Sequence, residues 1–375
     1  MKIAIDITRA IVESAGIGRY TYELAHALIK DSQGCDFLIY STHFNNSPEK
    51  TKKFESFRKK NVELKRLRIP GKCKEFLWGV PFNFLGRFLK GVDVLFAPSF
   101  FELQRGLKIP QVVTIHDMAT FIFPKQRGWK VSRYLSKRAT IVCRKAKAIL
   151  SVSDSTKKDI VKYLKIPENL IYRTYPGLNQ LSDPSPLLPF GLQQKQYILY
   201  VGTVEPRKNL TGLFRAYLLL PQEIQKKYKL VVCGGKGWND SEIYELAKPL
   251  VDDGKLIFTG FVSDNDLAKL YEDALLFIYP SLYEGFGFPI IEAMSFGLPV
   301  ITSNISSMPE AAGDGGILID PTSPKSMSLA ILRILSDELL RRKLSRQSLK
   351  QSQKFSWRTC GRETLEVIIN AVKKQ

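Results

Sequence analysis

Apolar and polar positions alternate most regularly in the second half of the chain. Continuous apolar runs stand at 197–203 (YILYVGT), 229–234 (KLVVCG), 256–260 (LIFTG), 275–281 (LLFIYPS), 299–303 (PVITS) and 316–320 (GILID). Segments of helical period separate them, at 210–220, 241–251, 264–273, 289–296 and 305–312. Strands that are apolar at every position are buried on both faces, and the helices between them are the crossovers of a parallel sheet. The first half alternates less cleanly, with strands predicted at 2–7, 36–40, 62–67, 93–96, 111–115 and 148–152 and helices at 17–30, 128–146 and 154–164. Between the halves, PGLNQLSDPSPLLPFGLQQ (176–194) can continue neither element type and reads as a linker. The pattern predicts an α/β chain of two Rossmann-like domains, at 1–180 and 190–356. Past residue 324 it is helical, and the segment 357–375 is expected to pack back on the first domain.

Composition narrows the class. With 375 residues and 44% hydrophobic content the chain is globular and long enough for two cores. No apolar run reaches the roughly 18–20 residues of a membrane-spanning helix. The opening MKIAIDITRA, with Asp6 inside it, reads as a buried first strand, not as a signal peptide. Five scattered cysteines without a CxxC pair fit reduced thiols in a cytoplasm and argue against a disulfide framework or a zinc site.

The formal net charge is +20, and two stretches hold nearly all of it. Residues 50–90 carry 13 Lys/Arg against three Glu, and residues 121–147 carry nine Lys/Arg, Lys125 and Arg127 among them, with no acid. Aromatics are interleaved: Phe76, Trp78, Phe82, Phe84 and Phe88 in the first, Trp129 and Tyr134 in the second. Such a surface suits an anionic lipid leaflet, which would make the protein peripheral to the inner membrane. A solubilising face that touches nothing is the alternative. No nucleic-acid recognition motif accompanies the charge, so no nucleic-acid partner is expected.

Two loops carry the chemistry. Glu284-Gly-Phe-Gly-Phe-Pro-Ile-Ile-Glu292 follows the strand LLFIYPS, where an open parallel sheet places its ligands. Gly285 and Gly287 permit close backbone approach, Pro289 suits the first helical position, and Gly297 ends the helix. A helix start offers N–H groups to an anion such as a diphosphate, and the carboxylates of Glu284 and Glu292 suit sugar hydroxyls. The second loop, Val201-Gly-Thr-Val-Glu-Pro-Arg-Lys-Asn209, sets Arg207 and Lys208 where they can neutralise a leaving diphosphate, with Asn209 as helix N-cap. In the first half, Gly16-Ile-Gly-Arg-Tyr20 opens a helix, and His116 ends the strand QVVTI. Asp117 either caps the next turn or acts near the acceptor. Asp264-Asn-Asp266 has the letters of a metal-binding triplet but opens a helix, so no metal is assigned to it.

Glu-x7-Glu in this place resembles the retaining GT-B glycosyltransferases of the group-4 family, and the resemblance covers essentially the whole chain. It implies two facing Rossmann-like domains with a cleft between them, and metal-independent transfer from a nucleotide-diphosphate sugar with no cofactor. It gives Glu292 to the ribose, Glu284 to the donor sugar, and Arg207 and Lys208 to the diphosphate. Where the family has an Arg after the glycine, this chain has Thr203, and Arg207 is the candidate replacement. Gly16 and Gly18 match the loop over the donor phosphate, and His116 matches a histidine near the reaction centre. Gly234, Val262, Gly285, Phe286 and Gly287 complete the implied donor-binding set with Thr203. The Gly-Thr-x-Glu-Pro-Arg-Lys-Asn variant looks most like bacterial mannosyltransferases of O-antigen synthesis. This implies GDP-mannose as donor and a glycan or polyprenyl-diphosphate-linked acceptor. A nucleotide-sugar 2-epimerase of the same fold and a non-catalytic polyanion-binding protein are the alternatives.

Overall fold

The computed structural model describes residues 1–13, 16–32, 34–45, 47–70, 73–74, 77, 82, 85–124 and 128–373. Phe76, Trp78, Phe84, Lys125 and Arg127 lie outside the described residues. The chain forms two compact units, Met1–Gly177 with Ser356–Gln375, and Leu178–Phe355. It passes between them twice, at 177/178 and at 355/356. Each unit is built on one parallel sheet, the two-domain α/β architecture expected of the GT-B fold.

The first unit holds strands β1 (Lys2–Asp6), β2 (Asp36–Ser41), β3 (Val62–Arg66), β4 (Val94–Ala97), β5 (Gln111–Ile115), β6 (Ala148–Ser151) and β7 (Ile171–Arg173). Among the described residues they form one sheet in the order β3-β2-β1-β4-β5-β6-β7, every pair parallel. The second unit holds β8 (Tyr197–Val201), β9 (Lys229–Cys233), β10 (Leu256–Gly260), β11 (Leu276–Tyr279), β12 (Val300–Ser303) and β13 (Gly316–Ile319). Their order is β10-β9-β8-β11-β12-β13, again all parallel. The central strands β1, β4, β8 and β11 bury nearly every residue, which is why they read as unbroken apolar runs.

Several short elements escaped the sequence pattern, the helices Thr8–Val12 and Ala119–Ile122 among them. β7 is three residues long and ends in a charged residue, too short to show a period. The helix Pro48–Glu55 buries one apolar side chain, Phe54, and is started by the Ser47 hydroxyl accepting from the Lys50 amide. The helix Gln222–Lys227 has a single turn and a half of mostly polar residues. The segment read as a linker is tied along the second unit. Ser185 Oγ donates to Asp266 at 2.6 Å, and Gln194 donates to Asp273 at 3.0 Å. The last helix, Trp357–Lys373, lies against the helix Ile17–Asp31 of the first unit. Gly361 permits that approach, since a Cβ there would stand 3.0 Å from the Ala27 methyl.

Candidate active site

In the second sheet the strand order reverses between β8 and β11, so their crossovers run to opposite sides and leave a crevice beyond the strand ends. The loops leaving those two strands carry the two motifs. Gly234, at the end of β9, has φ 146°, and a Cβ on it would sit 2.2 Å from the Gly202 carbonyl. Only glycine lets the β8 and β9 loops touch there. Past Gly202 the chain makes one tight turn, Pro206–Lys208, and reaches Asn209 in the left-handed region at φ 59°. Asn209 stands at the helix start as expected but does not cap it. Its Nδ2 donates to the Pro280 and Pro321 carbonyls, at 3.1 and 2.7 Å, and binds three loops together.

That turn delivers Arg207 and Lys208 to Glu284. Lys208 Nζ donates to Glu284 Oε1 at 2.6 Å and to the Tyr279 hydroxyl at 2.7 Å. The Tyr279 hydroxyl in turn donates to Glu284 Oε1 at 3.0 Å. Arg207 Nη1 donates to Glu284 Oε2 at 2.8 Å and to the Tyr283 carbonyl at 2.7 Å, and Nη2 donates to Glu205 Oε1 at 2.6 Å. Glu284, Lys208 and Glu205 are buried. Burial alone would push the Glu284 carboxyl up, but Arg207 and Lys208 outweigh it and hold the group down to about 2. Lys208 is lowered by burial against the upward pull of Glu284. The motifs place Glu284 on sugar hydroxyls and the two cations on a diphosphate; here both Glu284 oxygens lie on those cations.

Glu292 is buried one turn into the helix Phe288–Ser295 and has other partners. Its Oε1 accepts from Asn179 at 3.1 Å, and its Oε2 accepts from the Tyr271 hydroxyl at 3.3 Å. The helix starts at Phe288, so Pro289 is its second residue, and Gly287 before it has φ 104°. It ends as expected, with Gly297 at φ 69° and the Gly297 and Leu298 amides closing back on Met294 and Ala293. Gly285, Phe286 and Gly287 are buried, and Phe286 packs edge-on against Phe355, 5.2 Å between centroids. Thr203 is exposed at the tip of the β8 loop, and Val262 is half-buried past β10. Four participants were missed: Glu205, Tyr279, Asn179 and Tyr271. Glu205 stood inside the quoted motif, two positions before Arg207. Asn179 has no signal, because a linker asparagine is ordinary.

In the first unit, the analogous reversal lies between β1 and β4. Gly16 begins the helix Ile17–Asp31 at φ 55°, and a Cβ on Gly18 would stand 2.2 Å from the Glu13 carbonyl. Gly16 is thus called for by its left-handed backbone and Gly18 by the close approach of the Glu13 carbonyl. His116, just past β5, donates from Nε2 to the Pro98 carbonyl at 2.8 Å. A carbonyl only accepts, so the proton sits on Nε2 and the lone pair on Nδ1. Burial lowers this imidazole to about 4, so it is neutral at pH 7. Tyr20 packs edge-on to it at 4.6 Å. Asp117 Oδ1 accepts from the Ala119 amide at 2.9 Å, the capping alternative, and the residue also lines a cavity with His116, Ser99, Phe100 and Met118.

Asp264 and Asp266 lie in the first turn of the helix Asp264–Asp273, capped by Ser263, and Asp266 accepts from Ser263 and Ser185. Among the described residues no three His, Cys, Asp or Glu are grouped to hold a metal. No described helix is long and apolar enough to cross a membrane. Of the basic aromatic surface, Phe82, Trp129 and Tyr134 are exposed, but other members turn inward, Lys74 onto the buried Asp6 and Glu102 among them. Phe88 packs against the β1–β4 core, and Arg138 is buried, donating to the Phe101 carbonyl at 3.1 Å.

Comparison with known proteins follows the division of the chain. Residues 14–180 match the family described as Glycosyltransferase Family 4, and residues 190–351 match Glycosyl transferases group 1. The chain is 39% identical to O-antigen chain mannosyltransferase B of Escherichia coli, over 70% of each chain. It is 33% identical to the serotype-specific mannosyltransferase WbdA of Escherichia coli over 62% of this chain and 30% of that protein. Among solved structures, sucrose-phosphate synthase from Thermosynechococcus elongatus aligns over 100% of both chains with a TM-score of 0.76 at 18% identity. Anabaena Alr3699/HepE in complex with UDP-glucose aligns over 99% of this chain and 100% of its own with a TM-score of 0.74, also at 18% identity.

Proposed function

Because the chain belongs to the group-4 glycosyltransferases, we propose that it moves mannose, with retention of configuration, from GDP-mannose to a glycan or polyprenyl-diphosphate-linked acceptor. The setting we propose is the synthesis of a bacterial surface polysaccharide, as in the O-antigen mannosyltransferases it resembles. The observation that carries this reading is the convergence of Arg207, Lys208 and Glu284 where the second sheet reverses its order.

Bond breaking puts negative charge on the departing diphosphate. Two fixed cations in a dry pocket stabilise that charge more than water does, without reorganising. They supply the neutralisation a divalent cation supplies elsewhere, so transfer is expected to proceed unchanged in EDTA. Glu292, held by Asn179 and Tyr271, takes the ribose hydroxyls. Neutral His116 is suited to accept a hydrogen bond from a sugar hydroxyl at Nδ1. The helix Trp129–Cys143 exposes Trp129, Val131 and Tyr134 beside Lys130, Arg133 and Lys137, which suits an anionic leaflet carrying a lipid-linked acceptor.

The test is a thermal-shift panel of GDP-, UDP- and dTDP-sugars, followed by nucleotide release with acceptor and NMR of the new anomeric linkage. Stabilisation by GDP-mannose, acceptor-dependent GDP release and an α-linked product are expected. Conversion of donor without acceptor would instead mark an epimerase. No response to any nucleotide sugar would end the reading.

A further inference from the structure

The charges around Arg207 already cancel within the protein. Glu205 and Glu284 supply two negative charges, and Arg207 and Lys208 supply two positive. A diphosphate brings further negative charge into a buried place where every ion needs a partner. If it is to sit on both cations, one carboxylate has to leave them.

The bonding pattern identifies which one. Arg207 keeps anchors besides Glu284, among them the Glu205 carboxylate at 2.6 Å and the Tyr283 carbonyl at 2.7 Å. Lys208 has the Tyr279 hydroxyl at 2.7 Å. Glu284 is the partner the two cations share, so its departure leaves each cation still positioned. Glu205 is tied to the same turn by its backbone, its carbonyl accepting from the Lys208 amide at 3.0 Å. The Glu284 backbone is clamped as well. Its amide donates to Ser306 Oγ at 3.2 Å, and its carbonyl accepts from Ser306 and Ser307 Oγ at 2.7 and 2.9 Å. Release of Glu284 is therefore a change of side-chain rotamer on a fixed loop.

We propose that Glu284 is an internal stand-in for the donor's diphosphate, exchanged off Arg207 and Lys208 when that diphosphate binds, and that Glu205 is the positioning residue that keeps Arg207 in place through the exchange. The inference rests on the reading of residues 207 and 208 as the diphosphate site. It adds a coupling: the carboxylate becomes available to the donor sugar only once the diphosphate has displaced it. A nucleotide lacking its diphosphate leaves the switch closed.

The experiment is calorimetric titration of the full chain with inorganic pyrophosphate. Wild type is expected to bind weakly, because the ligand must compete with Glu284. Glu284→Gln is expected to bind at least tenfold more tightly, although the same variant loses transfer. Glu205→Gln is expected to weaken pyrophosphate binding several-fold and to raise the KM for donor more than it lowers kcat. Should Glu284→Gln fail to fold, Glu284→Asp replaces it. That variant keeps the charge but shortens the reach, and several-fold tighter binding is expected. Pyrophosphate binding that Lys208→Ala abolishes, yet that neither Glu284 variant tightens, overturns the exchange and leaves the diphosphate site standing. Absence of pyrophosphate binding in every form removes the site and the exchange together.

Discussion

The two units divide the protein's charge very unequally. Residues 178–355 carry 19 Lys/Arg against 19 Asp/Glu, so the whole formal charge of +20 lies in the first unit. In the second unit the charges that matter are turned inward and matched, four of them within the Glu205–Arg207–Lys208–Glu284 network. The first unit also pairs the buried Asp6 and Glu102 with Lys74 and Arg9 and keeps His116 neutral, but there unmatched cations cover the outside as well. A closed set of buried ions suits a small polyanion taken out of water. Unmatched cations on an exposed helix suit an extended anionic surface. One fold thus handles negative charge in two ways.

The contrast is broken most strongly at Lys208. Lys208→Ala is expected to lower kcat by about 10²–10³-fold in a GDP-release assay, the usual cost of one stabilising donor in a dry site. Glu292→Ala is expected to act mainly on donor KM. Near-native kinetics in both variants would remove the second unit's special standing. Next in size are the glycines that let backbones touch. Gly18→Ala drives a methyl into the Glu13 carbonyl of the first unit, and Gly234→Ala drives one into the Gly202 carbonyl of the second. Each is expected to cost about 1–3 kcal/mol in denaturant melts.

Acid separates the units more gently. His116 and His26 titrate at about 4, below the usual 6.5, in both cases chiefly through burial. The unfolded chain takes up their protons first, so the stability they support is lost as pH falls from about 6.5 towards 4. Glu284 is held down to about 2, so its contribution persists to about pH 4.5 and is lost only below that. Peptide-resolved hydrogen exchange between pH 7 and 3 is expected to show the first unit loosening before the second. The smallest effect is at the surface. Trp129→Ala or Lys137→Glu is expected to weaken sedimentation with anionic liposomes by several-fold, an effect of about 1 kcal/mol that salt erases for Lys137 and leaves for Trp129. Binding indifferent to lipid charge would leave the first unit's cations as solubilising groups.

Much of this architecture was legible because a parallel sheet buried on both faces writes itself as apolar runs. All six strands of the second unit were predicted within two residues of their ends. The missing pieces are those whose stability comes from elsewhere, such as the edge strand β7 and the polar helix Pro48–Glu55. At the site, a strand-end position and a charge pair marked Arg207, Lys208 and Glu284. Their bonding to one another was not legible, because motif spacing names residues without showing which charge meets which. Asn179 on Glu292 is a contact across 113 positions, and nothing local to either residue announces it. Phe88 and Arg138 mislead in the opposite sense: a basic, aromatic stretch looks uniformly external until the backbone decides which side chains turn inward.

The helix Trp357–Lys373 covers Ile17–Asp31 yet is synthesised after the entire second unit. On the ribosome, the order of completion is therefore inverted. Residues 178–355 can finish folding while the domain begun first still waits with Tyr20 and Ala27 without the Trp357 and Gly361 that pack on them. The nascent chain must keep that face from aggregating until its closing segment arrives.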